Sequence, residues 1–419
     1  MKRLVLLVGL LLLMTAANVR AAEKVPITVW FFTGSSAVSQ WAEGFEKAFN
    51  EDNPDIELKF DMVDWNTVRQ TVLIASASGT GPDISYLSGN LIPDWINKGM
   101  TLPLNRYIEA SPDKDDFISD LFLSVSDAKG QIHAMPFAMW GVFDLYNMDV
   151  LNAGGVDLPN SWDELIAAAR KMTVYNADRT VARYGYAAPQ HASEAIYTLH
   201  MNMEQLGKGL LYYGDTRADL YNDRGRRAAN YIRDLWAAGN PDYQSVSNMT
   251  NSVSGKLAIN GYATYNLIEI NPEDSASLLP RRVVGPEPGQ DIVRYNCGVL
   301  YILSTSKNPD KAWRVLEAFL SPQNSEGYIR AQVSYLPVRK SVLRKMNTLI
   351  EHPLAAKMAG IMYSPMTTYG AVHELWTTLW PAGGNILLGA LQGKTGIEGA
   401  LQEAERAMNT IIAEELSRN

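Results

Sequence analysis

Cysteine is almost absent: Cys297 is the only one among 419 residues. No disulfide framework can therefore form within the chain, and no thiol follows the apolar N-terminal stretch to carry a lipid. Histidine is scarce too. The five, His133, His191, His200, His352 and His373, show no HExxH or other ligand spacing, so a metal site has no support. Positive charge is short, with 37 Lys+Arg against 45 Asp+Glu and a net charge of −8. Without a Lys/Arg block to compensate, such a chain is repelled by nucleic acid and anionic lipid. Beyond the N-terminus no apolar run is long enough to cross a bilayer, which takes about 20 residues.

Catalytic motifs are missing in the same way. No G-x-S-x-G elbow exists, and the glycine pair Gly389 and Gly393 is one residue too close for a phosphate loop. That stretch joins two helical patterns and reads as a helix end followed by a helix start. Adjacent acids such as Asp115-Asp116 and Asp163-Glu164 suit solvated helix starts better than an acid/base pair. No cofactor is indicated.

What is present begins with a secretory signal. Lys2-Arg3 precede an apolar stretch from Leu4 to Met14, and Val19-Arg20-Ala21 supplies the small residues before a cleavage site. The spacing predicts a signal peptide over residues 1–21, a mature chain starting at Ala22 and a free periplasmic protein. Loss of Lys2, Arg3 and Arg20 leaves 34 basic residues against 45 acidic, a mature charge of −11.

The length favours two globular lobes. Ile27–Phe32, Ile56–Phe60 and Asp83–Leu87 are extended runs separated by helical patterns, the first carrying Trp41, Phe45, Ala48 and Phe49 on one side. Alternation of this kind predicts an α/β fold with a parallel sheet, whose ligands sit at the carboxyl ends of the strands. Phe32 to Ser35 and Ser88 to Asn90 fall on that edge. Further on, helices are expected from Ser161-Trp162-Asp163-Glu164 through Lys171, over Arg224–Ala238, from Asn308-Pro309 to Leu320, and from Thr395-Gly396-Ile397-Glu398 onward. There is no repeat and no flexible linker.

Aromatic residues are abundant, with 10 Trp, 20 Tyr and 10 Phe. Trp41, Trp162, Trp236 and Trp313 follow helical spacing and are expected in the core. Others stand beside or within a few residues of Gly, Pro, Asn or Ser: Trp30-Phe31, Trp65-Asn66, Trp140-Gly141, Gly261-Tyr262, Tyr265-Asn266, Tyr335, and Trp376 with Trp380-Pro381. Such a set suits a pyranose, whose C–H face packs on an aromatic face while its hydroxyls take Asp, Asn, Arg or backbone partners. Core packing is an equally good reading for any single member.

The order of motifs resembles the family of extracellular solute-binding proteins, family 1, that serve ABC sugar importers. The pieces are Ala75-Ser76-Ala77-Ser78-Gly79-Thr80-Gly81-Pro82-Asp83-Ile84, Asp94-Trp95 through Leu104, Ala134-Met135-Pro136-Phe137, Leu145-Tyr146-Asn147-Met148-Asp149, Leu158-Pro159-Asn160-Ser161-Trp162-Asp163-Glu164-Leu165, Gly255-Lys256-Leu257-Ala258, Ser306-Lys307-Asn308-Pro309, Leu336-Pro337-Val338-Arg339 and Ala390-Leu391-Gln392-Gly393-Lys394. The resemblance implies two α/β lobes in a hinged clamshell with several crossings. Lobe one would comprise residues 22–138 and 267–320, and lobe two residues 139–266 and 321–419.

It further implies a non-catalytic monomer that holds a carbohydrate in the cleft and docks on the membrane permease of an ABC transporter. Ligand contacts would come from Phe31, Ser35, Trp65, Asp83, Asn90, Trp140, Tyr262, Tyr265, Asn296, Gly298, Tyr335, and Trp376 or Trp380. Tyr265 stands where the family often carries Trp. A different polar solute, such as a glycerophosphate or a sugar acid, remains open within the family. From another class, so does an exported carbohydrate-active enzyme.

Overall fold

A computed structural model describes residues 24–417 except 33, 65–66, 188–190, 265–270, 334, 362–365 and 369–372, with the backbone but not the side chains of 262–264, 356 and 366–368. The expected signal peptide lies outside the described residues. Strand β1 (Val25–Phe32) pairs in parallel with β2 (Ile56–Val63) and β3 (Ile84–Ser88), as the alternation predicts. The sheet then departs from all-parallel. The order β2-β1-β3-β9-β4-β7-β6-β5 places β9 (Val293–Ile302) antiparallel between β3 and β4 (Met135–Asn147), followed by β7 (Leu257–Thr264), β6 (Val181–Tyr186) and β5 (Val174–Tyr175). Two short strands complete it: β8 (Leu278–Arg281) on β4, and β10 (Met366–Thr368) on β9.

Two hydrophobic cores form on this frame. The first gathers Ile27, Val29, Phe31, Ile84, Phe137, Val299 and Trp313; the second gathers Tyr146, Trp162, Leu199, Trp236, Trp376 and Leu401. The thirteen-residue β4 joins them, with Met135 in the first and Tyr146 in the second. The chain returns between Val284 of the second core and Val293 of the first, and leaves again between Ala359 and Trp376. Among the described residues, crossings of this kind give a two-lobe architecture. Beyond residue 320, Tyr328, Leu336, Val342, Met346 and Met358 pack in the first core.

Local chemistry explains the helices. Ser161 caps Trp162–Met172 by accepting the Glu164 N–H at 3.3 Å, and Trp162 then stacks on Tyr231 with ring centroids 4.0 Å apart. Pro309–Phe319 turns Trp313 and Leu316 into the first core. Two details differ from expectation. The terminal helix Ile397–Leu416 takes Gly396 as its N-cap, so Thr395 and Glu398 form no capping box. Trp376–Leu391 continues as helix through Pro381, a residue that ordinarily ends one.

Candidate binding cleft

A cavity of about 340 Å³ opens at the carboxyl ends of β1 and β3, beside the crossing strands. It is lined by Phe32, Tyr86, Leu87, Phe137, Trp140, Gly298 and Tyr335. Pockets of about 300–1,000 Å³ with mostly apolar walls are the usual size and character for small ligands. None of the seven side chains is charged.

Its walls are set by strand pairing. Trp140 on β4 stands opposite Asn296 on β9, and Ala138 opposite Gly298, so these four share one face of the sheet. The segment around Leu336 bonds to β4 through Met139 N–H to Leu336 O at 2.9 Å and the reciprocal bond at 2.7 Å. That bridge carries Tyr335 alongside Trp140, and the two rings stack 5.4 Å apart at 27°. Both remain half-buried. Gly298 is required by close approach, since a Cβ there would meet the Phe137 ring at 2.8 Å. Its absence lets that ring form part of the wall.

A polar cluster lies next to the aromatics. Ser88 Oγ donates to Asn90 Oδ1 at 2.7 Å; Asn296 Nδ2 donates to Ser88 Oγ at 2.9 Å and to Asn90 Oδ1 at 3.1 Å. Asn296 Oδ1 in turn accepts the Cys297 N–H at 2.9 Å. From the other lobe Tyr197 reaches Asn90, and burial pushes its phenol above the usual range while its hydrogen bonds oppose the shift. Thr377 Oγ1 also donates across the lobes, to Asp94 Oδ2 at 3.4 Å. Cys297 itself is fully buried against Gly89 and Ser124, and burial pushes its thiol up to about 12.

The structure brings Trp140, Gly298 and Tyr335 together as lining and sets Asn90 and Asn296 beside them. Phe31 is placed otherwise: it is fully buried on the inner face of β1 among Trp41, Phe60, Phe137, Phe319 and Tyr328. Its neighbour Phe32 faces the cavity instead, because successive strand residues alternate sides. Asp83 is a fold clamp whose carboxylate accepts the Thr28 N–H at 3.1 Å and the Ser306 hydroxyl at 2.6 Å. Ser35 caps the helix Ser36–Asp52. Trp376 is fully buried and stacks on Tyr197 at 5.4 Å, and Trp380 packs half-buried on the second core. Trp65, Tyr265 and the side chain of Tyr262 lie outside the described residues. Tyr86, Leu87 and Phe137 were not singled out in the sequence, since apolar strand residues there read as core.

The family description "bacterial extracellular solute-binding protein" matches residues 34–326. The chain belongs to this family. A protein of Brucella abortus (strain 2308), named only as a binding protein, is 26% identical over 418 residues, covering 97% of each chain. Among solved structures, the cyclic alpha-maltosyl-1,6-maltose binding protein of Arthrobacter globiformis superposes with a TM-score of 0.77 at 20% identity, over 94% of this chain and 100% of that one. The sugar-binding protein MalE of Xanthomonas citri gives 0.77 at 18% identity, over 93% and 98%. Similarity at this level establishes the shared two-lobe fold.

Proposed function

We propose that the protein captures a carbohydrate in the cleft beside β4 and β9 and delivers it to an ABC importer. The observation that carries this reading is the stacked Trp140–Tyr335 pair bordering an uncharged cavity, with the Ser88–Asn90–Asn296 cluster alongside. Aromatic faces take the C–H face of a sugar ring, and amide and hydroxyl groups take its hydroxyls. The sugar-binding neighbours support the same assignment. Binding in such a fold stabilises closure of the lobes, and the closed form is what a permease recognises.

The same reading makes the protein a non-catalytic monomer. Among the described residues no three His, Cys, Asp or Glu side chains are grouped to hold a metal ion. No helix among those residues is long and apolar enough to cross a membrane. Export by the N-terminal signal, with residence in the periplasm free of a lipid anchor, completes the proposal. It is tested by a thermal-shift screen of the mature protein against neutral mono- and oligosaccharides. A ligand at 100 times its Kd adds about 2.7 kcal/mol. A rise in Tm with a saccharide supports the reading, and no rise with any of them contradicts it.

A further inference from the structure

Beyond the aromatic cavity, the strand face that carries Gly298 and Asn296 continues to Arg294. In β9 these residues alternate two apart, and their partners on β4, Ala138, Trp140 and Val142, lie directly opposite on the same face. Gly298 to Arg294 is a step of about 13 Å along the strand, from the cavity toward Leu145 and Tyr146, where β4 passes from one core to the other. Arg294 is 3% exposed. Its Nε is buried and donates to nothing among the described residues. A buried guanidinium Nε without an acceptor is costly, and natural folds rarely leave one so without a use.

The neighbouring charge narrows what that use is. Asp144, two residues beyond Val142 on β4, is fully buried and lies within electrostatic reach of Arg294. No hydrogen bond joins the two. Asp144 Oδ2 accepts the Val284 N–H at 3.2 Å and the Tyr146 hydroxyl at 3.5 Å, while Oδ1 has no partner among the described residues. Arg281, opposite Asp144 on β8, has its guanidinium engaged by Pro159 O at 3.1 Å and Asn160 Oδ1 at 3.3 Å. Among the described residues the Nε of Arg294 is thus an open donor, and the positive field of the guanidinium is offset by a buried carboxylate. A carboxylate or phosphate brought to it would meet Asp144 as well as the chain's net charge of −8. A hydroxyl meets no such repulsion and accepts from the guanidinium.

We propose that Arg294 is a ligand-contacting residue at the hinge end of the cleft, donating to hydroxyls of a neutral saccharide, and that Asp144 beside it acts as a positioning residue that disfavours acidic sugars. The proposal rests on the carbohydrate reading above and adds to it a residue and a charge class. A ligand spanning the aromatic pair and Arg294 touches both crossing strands, so its binding couples directly to the hinge.

The test uses the mature protein with a fixed set of probes: maltose, maltotriose, cellobiose and mannobiose as neutral sugars, and glucuronic acid, galacturonic acid and glycerol 3-phosphate as acidic ones. Thermal shift selects the probes that bind, and calorimetric titration then compares wild type with Arg294→Met, Arg294→Lys and Asp144→Asn. The expected result is binding of a neutral probe, a loss of about 10- to 100-fold in Arg294→Met, the scale of a hydrogen bond from a charged donor, and a smaller loss in Arg294→Lys, which keeps the charge but not the planar fork. Asp144→Asn gains affinity for an acidic probe at least about threefold. Neutral binding left within about threefold of wild type in both Arg294 variants, or an acidic probe bound more tightly than every neutral one by wild type, overturns the inference while leaving a binding protein. Failure of every sugar to bind wild type overturns the carbohydrate reading instead. Should Arg294→Met not fold, Arg294→Lys and Asp144→Asn decide the matter alone.

Discussion

Burial of Asp144 sets a dependence of stability on pH that one substitution removes. Desolvation raises its carboxyl from 3.8 to about 6, against the opposing pull of Arg294, the Val284 N–H and Arg281. A group whose folded pKa exceeds its unfolded value stabilises the fold while it holds its proton. The contribution is fully present below about pH 4 and is lost as pH rises through about 6. At about 1.4 kcal/mol per pH unit, the loss is on the order of 3 kcal/mol. Asp144→Asn is neutral throughout and keeps an oxygen for the Val284 N–H. Relative to wild type, the variant should therefore gain on the order of 3 kcal/mol between pH 4 and pH 7.5. Urea unfolding of both proteins at several pH values in that range reads the difference, with other titrating groups cancelling between them. A difference that stays constant within about 0.5 kcal/mol would refute the reasoning, because it would mean that Asp144 ionises as easily in the fold as in the unfolded chain.

Three further outcomes follow from packing. Trp313→Ala, which removes a ring stacked on Tyr107 at 5.1 Å, should cost about 3–5 kcal/mol of stability, measured by chemical unfolding, and leave saccharide affinity intact. Gly298→Ala drives a methyl against the Phe137 ring at 2.8 Å and should push that ring into the cavity, weakening ligand binding about tenfold or more in a calorimetric titration. Cys297→Ser keeps the volume beside Gly89 and Ser124 and should fold and bind with at most about a threefold loss, as read by Tm and titration.

How far the sequence carried this account depends on which signals are local. The β1, β2 and β3 runs, the Ser161 cap and the helical stripes of Trp162, Trp236 and Trp313 are local patterns, and the structure reproduces them. Trp140 and Tyr335 stand out in the sequence because Gly141 and Ser334 adjoin them. The sequence points to Phe31 where Phe32 faces the cavity, because strand alternation gives parity but not which parity faces the core. In β1 the buried set is Ile27, Val29 and Phe31. Trp376 and Trp380 looked loop-flanked through Pro381, a residue that ordinarily ends a helix, whereas Trp376–Leu391 accommodates it and buries Trp376. The assignment of residues 322–361 to the first core, and the approach of Asp144 to Arg294 from strands 150 residues apart, are tertiary facts with no trace in spacing.

The central claim is that the Trp140–Tyr335 cavity holds the sugar, and the most direct measurement compares titrations of wild type and Trp140→Ala with the saccharide giving the largest thermal shift. Trp140 is half-buried and borders the cavity, so truncation should remove on the order of 2 kcal/mol or more of binding energy, about 30-fold in Kd, with little change in Tm of the free protein. Unchanged affinity in a folded Trp140→Ala protein would contradict the placement of the ligand at this cavity.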